Sequence, residues 1–196
     1  MLNGYHRTTA PSFWSGNGAV LPAPRWHESN CALARLLAKH RRVLAQAVAA
    51  AADIRRGIDD LAPSMAALCR RTCRFCPEPC CIGNTVWFDF RDLLFLHLIE
   101  APIPPCQAAT DRGVACPFLD HHGCRLPLRI RPWMCIQYLC PAQRVILKKK
   151  GQPATTALLR QIERIDNTRI RMENEVIRQI RRRIRTSPSS SSAYSR

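Results

Sequence analysis

The feature that most constrains this chain is its thiol content: of 11 cysteines, all but Cys31 fall between Cys69 and Cys140. They form two clusters. The first runs Cys69-x-x-x-Cys73-x-x-Cys76-x-x-x-Cys80-Cys81, and the second contains Cys116, Cys124, Cys135 and Cys140. An odd count does not complete a set of internal disulfides, and disulfides require an oxidising compartment. The N-terminus lacks the charged start and apolar run of a secretory signal. Arg41-Arg42 ahead of Val43 to Ala52 has the outline of a twin-arginine export signal, but it lies within a longer helical pattern and is read as helix. The expectation is a cytoplasmic protein whose thiols stay reduced.

Free thiols grouped this way suit a metal. Zinc and iron sites need several soft donors about 2.3 Å from the ion, and short loops with cysteines two or three residues apart supply pairs of donors at small entropic cost. Buried apolar thiols are the plainer alternative, but Pro77, Pro79, Arg74 and Arg125 among these cysteines do not suit an ordinary core. The expected ligands are Cys73, Cys76, Cys80, Cys81, Cys116, Cys124, Cys135 and Cys140, with Cys69 left open. Adjacent side chains diverge, so Cys80 and Cys81 should either serve two centres or contribute one ligand. Two zinc sites, or an iron–sulfur cluster with thiols to spare, both satisfy this. Cys76, Cys116 and Cys140 each precede proline, a step also seen in ferredoxin-type cluster loops. Arg70, Arg71, Arg74, Arg125 and Arg131 are placed to offset thiolate charge.

Helical periodicity flanks the cysteines. Leu33, Leu37, His40, Leu44, Ala47, Ala51, Ile54, Ile58 and Leu61 recur at spacings of three and four, a heptad seam expected to form a coiled-coil-like helix over 29–62, capped at Ser29 or Asn30 and ended by Pro63. Leu158, Ile162, Ile165, Met172, Val176 and Ile180 mark a second helix over 151–186, its seam interrupted by Arg169. Residues 1–28 read as a disordered leader, 63–150 as the cysteine-cluster domain and 187–196 as a Ser-rich disordered tail. Within the domain, residues 69–87 and 106–130 read as loops that ligand bonds must hold, and Trp87–Glu100 as a short buried helix. The predicted fold is mainly α: an irregular metal-centred core between two long helices packed as an antiparallel pair. Arg169 would then face the rim or an acidic partner, and the outer faces would dock a protein or a second copy. No apolar run is long enough to span a membrane.

Cys73-x-x-Cys76 with Cys80-Cys81, followed by Cys116-Pro-Phe-Leu, Gly123-Cys124, Arg131-Pro-x-x-Cys135 and Cys140, resembles the YkgJ-like cysteine-cluster family over about residues 69–141. The resemblance implies a zinc- or iron-chelating domain. That family's first motif is C-x-x-C-x-x-C-C, whereas three residues separate Cys76 from Cys80 here. A more distant relative of the family is the flagellin lysine N-methylase, so the resemblance also extends to a metal-dependent transferase.

No dinucleotide fingerprint, P-loop, nucleophile elbow or H-E-x-x-H occurs to anchor an enzyme reading. His97, His121 and His122 are the histidines near the clusters, and the last two read as an exposed turn. Nucleic-acid binding is the remaining class. The net charge of +16 is concentrated in residues 141–196, with 14 basic against 4 acidic side chains. No zinc-finger histidine spacing accompanies that arm, and no aromatics interleave with its arginines. Polyanion binding through Arg178, Arg181, Arg182, Arg183 and Arg185 should therefore be nonspecific. Its affinity should fall on the order of 10²-fold between about 50 and 200 mM salt. Filter binding with two unrelated nucleic-acid sequences checks this, and selectivity that survives moderate salt contradicts it.

Overall fold

The computed structural model describes residues 23–73, 76–77, 79–108, 114–121 and 123–186. The leader up to residue 22 and the tail from 187 lie outside the described residues. The chain forms α1 (Ala23–His40), a 3-10 turn at Arg41–Leu44, α2 (Ala45–Thr72), α3 (Cys80–Gly83), α4 (Phe90–Leu98), a two-stranded antiparallel ribbon of β1 (Leu119–Asp120) and β2 (Gly123–Cys124), a 3-10 turn at Leu128–Ile130, then α5 (Trp133–Gln137), α6 (Pro141–Lys149) and α7 (Gln152–Thr186).

The first seam is longer than its sequence boundaries. Helix begins at Ala23 rather than at Ser29 or Asn30, because Trp26 anchors its first turns. The Trp26 ring is buried 5.8 Å from that of Phe88, and its Nε1–H donates to the Pro104 carbonyl at 2.8 Å. Asn30 is no cap. It is buried, donating to the Trp26 carbonyl at 2.9 Å and meeting His97 Nε2 at 3.0 Å. The helix also runs through Pro63 to Thr72. Pro63 is exposed, while Leu61, Met65 and Leu68 carry the buried stripe past it, so packing outweighs the one lost backbone hydrogen bond.

Helices α2 and α7 form the main pair. They are antiparallel: α6 lies beside the end of α2 and leads directly into α7, and α7 reaches the Arg41–Leu44 turn at its other end. Ala47, Ala51, Ile54, Ile58, Leu61, Met65 and Leu68 face Leu158, Ile165, Met172 and Val176. The helices approach closely at Gly57, where an added Cβ would lie 2.7 Å from Ile165 Cγ1. At 35 residues, α7 is about 52 Å long.

Arg169 does not face the rim. It is 1% exposed and lies between the carboxylates of Asp89 and Asp92, at 3.1 and 2.9 Å. These two residues also form the capping box of α4, each side chain accepting from the other's backbone N–H. Asp92 accepts a further bond from the Trp133 N–H at 3.0 Å, and the guanidinium lies 5.5 Å over the Trp133 ring. One node thereby joins α4, α5 and α7.

The cysteine region contributes to the apolar core of the long helices. Val86, Phe88, Leu93 to Leu96, Phe118, Leu126, Trp133, Ile136 and Leu139 are buried and continuous with the seam of the long helices. Side-chain burial thus supplies much of the order that ligand bonds were expected to supply. Gln107 replaces sheet pairing at the entry to α4: its amide accepts from Phe88 N–H at 2.6 Å and donates to Phe88 O at 3.0 Å.

Two stability predictions follow from the pair and the node. Gly57→Ala gains up to about 1 kcal/mol in helix propensity but forces Ile165 off α2. We expect a net loss of about 1 kcal/mol, since overpacking costs about 1–3 kcal/mol, read as a lower urea midpoint. Arg169→Leu strands two carboxylates and should cost about 3–5 kcal/mol. Burial first, then the charge of Asp89, pushes Asp92 from 3.8 up to about 7, against the pull of Arg169 and two backbone N–H groups. A carboxyl raised in the folded state contributes stability that is full below about pH 4 and lost as pH rises through 7. Relative to Asp92→Asn, the wild type should lose ground between pH 5 and pH 8 in the same urea measurement.

Candidate metal centre

Five thiols from four segments, Cys80, Cys81, Cys116, Cys124 and Cys135, act on one another electrostatically. Cys80 and Cys81 enter on α3, a single turn started by Pro79. Cys116 is tied to them through its N–H, which donates to the Cys81 carbonyl at 3.0 Å. Cys124 ends β2, opposite Leu119. Cys135 sits in the middle of α5, whose position is set by the Trp133 bond to Asp92 and by Met134, whose sulfur accepts from Trp87 N–H at 3.3 Å. Arginines shape the surrounding loops: Arg131 donates to the Leu126 and Cys124 carbonyls, and Arg125 to that of Pro117.

The electrostatics report the grouping. Burial, then the charges of Cys124, Cys116 and Cys80, raises the Cys135 thiol far above its ordinary value. Burial likewise raises Cys116, with Cys124 and Cys106 adding to it. Cys80 and Cys81 share a hydrogen bond and titrate as a unit. The bond from Cys81 holds Cys80 down to about 6, and donating that bond raises Cys81. All 11 cysteines are free thiols.

The remaining expected ligands lie elsewhere. Cys73 is the C-cap of α2 and is hydrogen-bonded to Cys69, which burial and Cys73 together push up to about 11. Cys140 is the N-cap of α6, where its sulfur accepts from Gln143 N–H. Cys76 follows in a turn, its N–H bonded to the Cys73 carbonyl at 3.3 Å. The eight predicted residues are therefore not one constellation. Gln143 is the residue that sequence reading passed over, and Cys69, whose role that reading left open, lies against it. The Cys69-x-x-x-Cys73 spacing, one helical turn, was the available signal, hidden by reading residues 69–87 as loop.

The histidines stand apart. His97 is half-buried against Asn30, and burial lowers its pKa. His121 is exposed at the tip of the ribbon beside Asp120. His122 lies outside the described residues.

Among the described residues, no three Cys, His, Asp or Glu side chains converge on one point as they stand. The donor set fits a soft ion: thiols without disulfides, mutually repelling once ionised, with guanidinium groups nearby. Among the described residues no helix is long and apolar enough to cross a membrane. The chain matches no protein-family model, no curated protein and no solved structure.

Proposed function

We propose that this protein binds zinc or iron through the thiolates of Cys81, Cys116, Cys124 and Cys135, with Cys80 interchangeable with Cys81. The reading rests on the Cys116 N–H bond to the Cys81 carbonyl at 3.0 Å and on the seating of α5 by Asp92, which bring thiols of separate segments within electrostatic reach of one another. Each ionisation in the group makes the next one harder, and a divalent cation reverses that penalty by neutralising the set. Four thiolates complete a tetrahedral site. The spare member of the Cys80–Cys81 pair then donates a hydrogen bond to its ligating neighbour, the kind of outer contact that orients metal ligands. The resemblance to YkgJ-like domains implies the same ions, and an iron–sulfur cluster would take the same four donors.

Elemental analysis and an absorption spectrum of protein purified anaerobically test the proposal. Zinc without colour, or iron with a sulfur-to-metal chromophore, is expected at one equivalent or more per chain. Cys135→Ser should lose that metal. A chelator should lower stability by about 4 kcal/mol where free ion stands near 1,000 times its Kd. Metal-free protein from anaerobic purification, or full metal content in Cys135→Ser, would sink the assignment.

A further inference from the structure

Three thiols outside that group, Cys69, Cys73 and Cys140, lie at the junction of α2 and α6. Cys69 lies in the last turn of α2 and Cys73, four residues on, is its C-cap, with its backbone N–H bonded to the Cys69 carbonyl. Gln143 of α6, 3% exposed, lies between them and Cys140. Its Nε2–H donates to Cys69 Sγ at 3.6 Å, its backbone N–H donates to Cys140 Sγ, and its Oε1 accepts from Cys140 N–H at 3.1 Å. The Thr72 hydroxyl stands 3.7 Å from Cys73 Sγ.

This is a donor shell aimed at sulfur. A neutral thiol is a poor acceptor, so burying an amide against it returns little. The same N–H groups are well matched to thiolates, whose hydrogen bonds are charge-assisted, and outer donors of this kind orient metal ligands.

We propose that Cys69, Cys73 and Cys140, with Cys76 from the turn after α2, form a second thiolate site for a tetrahedral divalent ion of the zinc class, separate from the five-thiol group. The chain then carries two metal centres. The inference rests on reading the five-thiol group as the first.

Helical geometry favours an ion over a disulfide at this pair. Side chains four residues apart on a helix have Cβ atoms about 5–6 Å apart. A disulfide needs about 3.5–4.5 Å, so closing one would unwind the last turn of α2. Two sulfurs on a tetrahedral ion are about 3.8 Å apart, given metal–sulfur bonds of about 2.3 Å. An intact helical turn meets that requirement by rotamer choice.

The test uses the full chain, stripped of metal, reduced and titrated anaerobically with Co²⁺. Bound ion is counted by thiolate-to-cobalt absorbance, and free thiols are mapped by N-ethylmaleimide labelling and mass spectrometry. Two equivalents are expected. They should protect Cys69, Cys73 and Cys140 as one set and Cys116, Cys124 and Cys135 as another. The double variant Cys69→Ser/Cys140→Ser should bind one equivalent and keep the second set protected. Cys116→Ser/Cys135→Ser should do the converse. Should either variant fail to fold, the wild-type protection pattern decides the matter alone. One equivalent in the wild type, with Cys69 and Cys73 freely labelled, overturns this inference and leaves the first centre standing. So does a single equivalent accompanied by a Cys69–Cys73 disulfide in air. No binding at all overturns both readings.

Discussion

The guanidinium of Arg169 is the group around which the rest of the molecule is arranged. It is the one arginine of α7 taken fully out of solvent among the described residues, and two carboxylates on α4 receive it. Such a charge is tolerated only when paired, because an isolated ion in a dry interior costs several kcal/mol. The pairing is geometrically exacting. Asp89 and Asp92 are already committed to capping α4, and Asp92 also holds the first turn of α5. Arg169 Nε and Trp133 Nε1 have no hydrogen-bond partner in the described structure, so the node is under-satisfied as well as buried. Its contribution is placement: it fixes how α4 and α5 sit on the long pair, and α5 carries Cys135.

The long pair supplies the stiffness against which that placement is made. Gly57 lets the backbone of α2 approach Ile165, and alanines at 47 and 51 continue the narrow contact toward the Arg41–Leu44 turn. Trp26, far ahead in sequence, closes over Phe88 at the entry to α4. The N-terminal helix therefore braces both the seam and the cysteine region. The two share one apolar cluster, so the segments 29–62, 63–150 and 151–186 are divisions of sequence pattern more than of core.

The thiols inherit their positions from this frame. Cys135 rides on α5, Cys140 and Gln143 on α6, and Cys69 and Cys73 on the end of α2. The arginines nearby have structural tasks as well as charge: Arg131 spans two carbonyls of the loop that leads into α5, and Arg144 donates to the Leu139 carbonyl beside Cys140.

Periodicity made both long helices legible in the sequence, because an apolar stripe every three or four residues has one economical outcome in water. Their antiparallel packing also followed, from matched lengths and a compact connection. The clustering of cysteines was equally plain, since spacing along the chain is a property of sequence. What sequence could not decide was which thiol meets which. Cys81 with Cys116 and Cys135, and Cys69 with Gln143, are encounters between segments far apart in the chain, set by the packing of α4, α5 and α6. Helix ends were likewise a tertiary matter: Trp26 and Asn30 extend α1 through contacts with Pro104 and His97, and Leu61, Met65 and Leu68 carry α2 past Pro63. The role of Arg169 shows the same division most clearly. A charge within an apolar seam was visible from sequence, but only the fold brought Asp89 and Asp92 to it, because the alternative was a buried charge with no partner.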